Sequence, residues 1–194
     1  MASQIVRRAD AARNIDRILE SAIHVFALDP AAGMNEVAEH ANVGRATLYR
    51  HFPCRDDLLA AIKAQARQEA VAAVESCPID EGSSLESIEQ IVNAVMELGD
   101  RYRFITRWHV DPEEDQEPRE RIAAALRAAV ERGQRRGEIT RSIPADWAVI
   151  VIRSLMLAAI EELTAGDMTD RDAERLVKRI VSQGFAPARR EKAR

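Results

Sequence analysis

Apolar residues recur at intervals of three and four along most of the chain, and this spacing constrains the fold more than any other feature. Runs of β-branched residues with period two are missing, and the chain is 46% hydrophobic but only 4% aromatic. Residues that enter helices readily therefore dominate, and the sequence predicts an all-α fold. The clearest stripe, at i, i+3, i+4, i+7, i+8 and i+11, predicts a helix over about residues 10–28 that ends before Pro30. It consists of Ile15, Ile18, Leu19, Ala22, Ile23 and Phe26.

The next two apolar patterns are short and lie close together. Residues 34–41 predict a helix of about two turns. Asn42 follows at a point where a positive φ is often needed, and asparagine tolerates that conformation. Gly44 then stands at the N-cap of a third helix, in which Leu48 and Phe52 face inward. Two short helices joined by a three-residue turn form a helix-turn-helix.

The outward face of the third helix gathers positive charge. Residues 44–55 contain three arginines and no acidic residue, although residues 1–76 hold 9 basic and 10 acidic residues and so carry a net charge of −1. DNA binding needs cations at phosphates and side chains at base edges, which such a face supplies. Arg7, Arg8 and Arg13 could add an N-terminal arm that reaches phosphate or a minor groove. An ordinary solvated helix face would also carry exposed arginines, so the charge alone does not distinguish a DNA-binding face from a solvated one.

The segment EVAEHANVGRATLYRHFPCRDDLL, together with the helix before it, resembles the DNA-binding domain of TetR-family transcriptional regulators over about residues 12–65. The resemblance implies that Arg45, Ala46 and Tyr49 approach base edges. It also implies that Thr47, His51 and Arg55 touch phosphates. The predicted DNA-binding residues, including the outward-facing Arg50, are Arg45, Ala46, Thr47, Tyr49, Arg50, His51 and Arg55.

The second half of the chain is predicted to form a separate helical region. The predicted organisation is a helix-turn-helix domain over 1–54, a connecting helix over 55–76, and a ligand-binding and dimerisation domain over 77–194. Ser83 or Ser84 could cap a helix over about 85–99, and Pro118 suits the first turn of a helix running to about 134. The segment DWAVIVIRSLMLAAIEEL is apolar almost all round, and RLVKRIVSQGF carries one apolar stripe.

These last two helices predict a four-helix bundle between two copies of the chain, an interface that the resemblance also implies. The alternative is an ordinary intramolecular core. The residues predicted to form the dimer interface are Trp147, Val151, Leu155, Ala158, Leu176 and Ile180.

The resemblance further implies a cavity for a small hydrophobic ligand between the middle helices. Its predicted lining residues are Met96, Tyr102, Phe104, Trp108 and His109. Ordinary core packing is the alternative for each of them. His109 with Asp111 and Glu113 lacks the close ligand spacing of a metal site and fits a solvated acidic loop better, so neither metal nor cofactor is predicted.

The function expected from these features is a cytoplasmic, homodimeric DNA-binding regulator. The resemblance implies a repressor that a small hydrophobic ligand releases from a palindromic operator. The alternatives are a helical dimer acting through protein partners, or a DNA binder that requires its ligand. An enzyme is not expected, because the sequence has no HExxH, GxSxG or Gly-rich phosphate loop. Cys54 and Cys77 are expected to be reduced thiols. No signal peptide or bilayer-spanning apolar run is expected.

Overall fold

The computed structural model describes residues 2–78, 81–102, 104 and 116–187; for 2–12, 100 and 170 it describes the backbone only. Within these residues the regular structure is α-helical and no strand occurs, which confirms the all-α prediction. None of the helices in the described part is long and apolar enough to cross a membrane. The helices are α1 Ala2–Leu28, α2 Met34–His40, α3 Arg45–His51, α4 Arg55–Ser76, α5 Ser84–Arg101, α6 Gln116–Arg136, α7 Ala145–Ala165 and α8 Asp170–Gly184.

The chain forms two compact units, residues 1–66 and 67–194, and the division falls within α4. The connecting helix predicted over 55–76 coincides with α4 and contains this division. Both ends of α4 therefore belong to one continuous helix, while its side chains contribute to two different cores.

The first unit is built on the apolar stripe of α1. Ile18, Ala22 and Phe26 are fully buried, α1 packs against α2, and α2 packs against α3. Leu58 and Ile62 of α4 are also fully buried. The helix predicted from about residue 10 in fact begins at Ala2. Its backbone includes Arg7 and Arg8, so the expected N-terminal arm is helical there, because residues 2–12 continue a run without Gly or Pro.

The second unit packs α5 to α8 around one apolar core. Helix α5 contacts α6, α7 and α8, and α7 contacts both α6 and α8. Ser83 caps α5: its Oγ accepts a hydrogen bond from the Glu86 N–H at 3.1 Å, and its own N–H donates to Glu86 Oε2 at 2.8 Å. Pro118 lies in the first turn of α6, as predicted.

A polar cluster joins the beginning of α5 to the end of α6. Arg132 donates to Ser84 Oγ at 3.2 Å and to Ser87 Oγ at 2.7 Å, and both serines are buried. Glu138 accepts a hydrogen bond from the Ser84 N–H at 2.6 Å, and this bond holds the pKa of the carboxyl below its ordinary value. The cluster satisfies polar groups that would otherwise be costly to bury.

Candidate nucleic-acid interface

The turn between α2 and α3 has the geometry that the sequence predicted. Asn42 adopts φ = 50°, and it is the one non-glycine residue with positive φ in the described chain. The Val43 N–H donates to Ala38 O at 3.0 Å, which closes the end of α2. Gly44 is the N-cap of α3 with extended backbone, and its carbonyl accepts from Thr47 N at 2.8 Å. These local bonds fix where α3 leaves the turn.

Helix α3 is anchored on one side and exposed on the other. Leu48 is fully buried, and Phe52, which follows the helix, is 7% exposed. Successive side chains on an α-helix are about 100° apart. Because Leu48 is buried, the side chains on the opposite side of α3 point toward solvent. Of the predicted DNA-binding residues, the structure exposes Arg45, Ala46, Tyr49 and Arg50 and half-buries Thr47, His51 and Arg55.

The exposed face of α3 has the chemistry of a major-groove reader. Arg45 and Arg50 carry its charge, and no acidic residue lies on α3. Tyr49 is 43% exposed, so part of its surface is available for contact. Arginine can donate two hydrogen bonds to one guanine, and tyrosine can contact a base or a phosphate.

Arg55 differs from these residues, because its guanidinium is turned toward the first unit's own core. It donates to the Pro30 carbonyl oxygen at 2.6 Å and lies 4.7 Å from the centre of the Phe26 ring. Both partners are at the end of α1, so Arg55 links α4 to the segment that precedes α2. The sequence did not indicate this contact, since Arg55 and Pro30 are 25 residues apart.

His51 is likewise partly withdrawn from solvent. Its Nε2 is buried and has no hydrogen-bond partner within the described residues. Its ring centre is 6.5 Å from that of Phe52. The first turn of α4 follows closely, where Asp57 accepts a hydrogen bond from the Cys54 N–H at 3.3 Å. Asp56 and Asp57 thus place negative charge directly after the basic stretch.

Four of the six predicted dimer residues are exposed on α7 and α8, whereas Val151 and Leu155 pack against the second unit's own core. Helix α7 buries Ala148, Ile152 and Met156 within the chain, and α8 buries Val177 and Val181. The outer face remains apolar: Trp147 is 58% exposed, Leu176 40% and Ile180 46%. Of the other predicted residues, Val151 and Leu155 are half-buried and Ala158 is exposed.

The predicted ligand-binding residues are only partly described. Met96, Tyr102 and Phe104 are buried, with 6% or less of each exposed. Trp108 and His109 lie outside the described residues, as do Asp111 and Glu113. No group of three potential metal ligands occurs in the described part of the chain.

An open cavity of about 380 Å³ lies between α5, α6 and α7 of the second unit, and the sequence analysis missed it. Of the predicted ligand-binding residues that the structure describes, Met96, Tyr102 and Phe104, none lines it, although Val95 is the chain neighbour of Met96. Its polar lining residues are Arg119, Arg153 and Ser154. Its apolar lining residues are Val95, Ile122, Ile150, Met156, Leu157 and Ile160. The sequence signal for it was Arg153-Ser154, which interrupts the longest apolar run of the chain.

Comparison with known proteins agrees with the geometry of both units. The family described as "Bacterial regulatory proteins, tetR family" matches residues 18–62, which span α2, α3 and the adjoining parts of α1 and α4. The HTH-type transcriptional repressor LfrR of Mycolicibacterium smegmatis is 29% identical over 153 residues, which are 77% of this chain and 78% of LfrR. An HTH-type transcriptional regulator of Mycobacterium tuberculosis is 53% identical over 45 residues, 22% of each chain.

Solved structures extend the likeness over both units. The crystal structure of LfrR from Mycobacterium smegmatis in complex with proflavine has a TM-score of 0.67 and 26% identity, and the match covers 89% of this chain and 97% of LfrR. The TetR-family regulator PfmR of Thermus thermophilus has a TM-score of 0.68 at 22% identity, covering 86% of this chain and 97% of PfmR, which shows the shared fold. The exposed basic face of α3, the family match across it and the LfrR likeness agree: residues 18–62 form a DNA-binding domain of the tetR family of bacterial regulatory proteins, in a chain that is similar to TetR-family transcriptional regulators over both units.

Proposed function

We propose that the chain is a homodimeric transcriptional repressor that binds a palindromic operator and is released from it by a small ligand. The observation that carries this proposal is the exposed face of α3, where Arg45, Tyr49 and Arg50 project from a helix fixed by buried Leu48. Similarity to a transcriptional repressor over more than three quarters of the chain supports repression.

Each copy would place α3 in a major groove. Arg45, Ala46 and Tyr49 would read base edges, and Thr47, Arg50 and His51 would contribute polar contacts nearby. A dimer would read two half-sites separated by whole turns of DNA, which accounts for the palindrome. The predicted contact of Arg55 with a phosphate remains part of the proposal. Its guanidinium would have to bind the phosphate and the Pro30 carbonyl oxygen together, or leave the carbonyl oxygen to bind the phosphate.

The outer faces of α7 and α8 support the dimer. Exposed apolar residues that run along two adjacent helices are covered most simply by the same two helices of a second copy. Replacing Ile180 with glutamate would put a charge into this face and should convert the dimer to a monomer, as measured by analytical ultracentrifugation. The matched control is Arg179→Glu, an exposed neighbour on α8. Equal dimer dissociation constants for the two variants would show that Ile180 is not part of the interface.

Ligand control of DNA binding is the third part of the proposal. The relative LfrR has been crystallised with proflavine, and this chain has an open cavity in the second unit. A ligand that binds better to the dimer when it is off the operator lowers DNA affinity by that difference in binding free energy. The predicted set of Met96, Tyr102, Phe104, Trp108 and His109 remains part of this proposal.

The experiment that tests the proposal is fluorescence anisotropy of the purified chain with DNA flanking its own gene. Random DNA of equal length is the control, at two salt concentrations. Binding to one palindromic segment that is at least about 10³-fold tighter than to random DNA supports a specific repressor. Equal and salt-sensitive binding to both places the operator elsewhere. No binding by a folded dimer would favour the partner-binding or ligand-requiring alternative.

A further inference from the structure

The cavity between α5, α6 and α7 has a lining that combines apolar walls with positive charge. Among the described residues that line it, six are apolar, two are arginines, one is Ser154, and none is acidic. Its volume of about 380 Å³ lies within the range of pockets that bind small molecules. A cation in the cavity would therefore meet the guanidinium group of Arg153 and would find no carboxylate among the described lining residues.

Arg153 has an unusual position for an arginine. It lies in the middle of α7, the most apolar helix of the chain, and is half-buried there. A charged group on an apolar helix loses hydration unless a partner replaces the lost water. A neutral residue in this position would avoid that loss of hydration.

Other arginines of the second unit have carboxylate partners within the described residues. Arg127 pairs with Asp146 at 2.6 Å, and Arg101 pairs with Glu69 at 3.3 Å. Among these same described residues no ion pair joins Arg153 to a carboxylate. Arg153 and Ser154 both line the cavity from α7, and Arg119 lines it from α6.

We propose that this cavity binds a small amphipathic anion, whose carboxylate pairs with Arg153 and whose aliphatic part lies along the apolar walls. Ser154, which also lines the cavity, can donate a further hydrogen bond to the carboxylate. Ile150 and Leu157 line this open cavity and are 49% and 56% exposed. An aliphatic chain bound in the cavity would cover part of their surface. The inference rests on the proposed function, because it names the class of effector that the repressor would answer to.

The first test measures ligand binding without DNA, by isothermal titration calorimetry of the full chain. The probes are decanoate and decyltrimethylammonium, which share a tail and differ in the sign of charge, each below its micelle concentration. We expect decanoate to bind and the ammonium probe to bind at least about tenfold more weakly. Equal binding of the two, or no binding of decanoate, would overturn the proposal.

The second test uses variants of the arginine at the cavity. Arg153→Gln should weaken decanoate binding by on the order of tenfold, and Arg153→Lys, which keeps the charge, should weaken it by only a few-fold. The control is Arg171→Gln, an exposed arginine at the start of α8 that does not line the cavity. Unchanged decanoate binding in Arg153→Gln would refute the pairing. A monomeric Arg153→Gln protein would instead assign the cavity to the contact between two copies and overturn the ligand site.

The effect on DNA is measured separately. If decanoate binds through Arg153 but leaves operator affinity unchanged, the ligand class stands and the ligand-release part of the proposed function fails. If decanoate binding is absent while other molecules release the operator, the repressor stands and the anionic class fails.

Discussion

Replacing Arg55 with alanine should loosen the junction between α1 and α2. The side chain contributes a charge-assisted hydrogen bond to the Pro30 carbonyl oxygen and a cation–π contact with Phe26. Such a hydrogen bond is worth about 1.5–3 kcal/mol and the ring contact about 0.5–1 kcal/mol. Because Arg55 is only half-buried, water offsets part of this, and we expect a local loss of about 2 kcal/mol.

Hydrogen exchange measured by mass spectrometry can follow this loss where it occurs. A local loss of about 2 kcal/mol should speed amide exchange roughly 30-fold in peptides covering residues 22–40, while peptides from α7 stay unchanged as an internal reference. Arg50→Ala is the matched control, because Arg50 is exposed on α3 and should leave exchange unaltered. Arg55→Lys should give an intermediate effect, since lysine lacks the planar group that covers the ring.

The same variants separate packing from a phosphate contact. If Arg55 only supports the helix-turn-helix, the alanine variant should bind DNA more weakly while the slope of log K against log salt stays the same. If Arg55 contacts a phosphate, the slope should fall by about 0.9. Unchanged exchange over residues 22–40 would refute the packing argument, whatever the DNA affinity.

Three further outcomes are expected. Arg45→Ala should cost on the order of 1–3 kcal/mol on the operator and relax preference at one base pair per half-site, measured by anisotropy against single-base operator variants; an equal loss on random DNA would contradict base reading. Gly133→Ala should lower the free energy of unfolding by about 1–3 kcal/mol in urea, because its Cβ would lie 2.6 Å from Ile139 Cδ1 and 2.9 Å from Ser84 Cβ; an unchanged midpoint would show that Ile139 can move aside. Because the pKa of Glu138 is depressed, its hydrogen bond to the Ser84 N–H stabilises the fold at pH values above the ordinary pKa of 4.5, and this stability is lost as pH falls through the folded pKa. Glu138→Gln should therefore lose less stability in acid than the natural chain. Parallel curves of the free energy of unfolding against pH for the two proteins would contradict this.

The helix-turn-helix could be predicted closely because its determinants are local. Asn42 and Gly44 fix the turn through their own backbone conformations, and the burial of Leu48 then sets which face of α3 is exposed. Each of these features lies within seven residues of the others. Patterns of residue type over such short spans carry the required information.

Features that depend on distant partners could not be predicted in the same way. The position of the Arg55 guanidinium depends on Pro30 and Phe26, which only the packing of α1 against the rest of the unit brings near. The cavity at Arg153 is similarly set by the spacing of three helices, and the sequence showed it only as a break in an apolar run. The predicted start of α1 at about residue 10 is too late, because the residues from Ala2 onward are good helix formers and continue the helix.

The arginines of this chain show why residue type alone cannot assign a site. Arg45 lies in solvent on a helix without acidic residues, so its charge is available to a large anion such as DNA. Arg55 has a carbonyl oxygen and an aromatic ring within reach, so much of its binding capacity is used inside the fold. Arg153 is half-buried against apolar walls, where a carboxylate would be bound more strongly than in water because solvent competes less. The three environments differ in what lies within a few ångströms of the guanidinium, and this difference predicts a macromolecular, an internal and a small-molecule partner respectively.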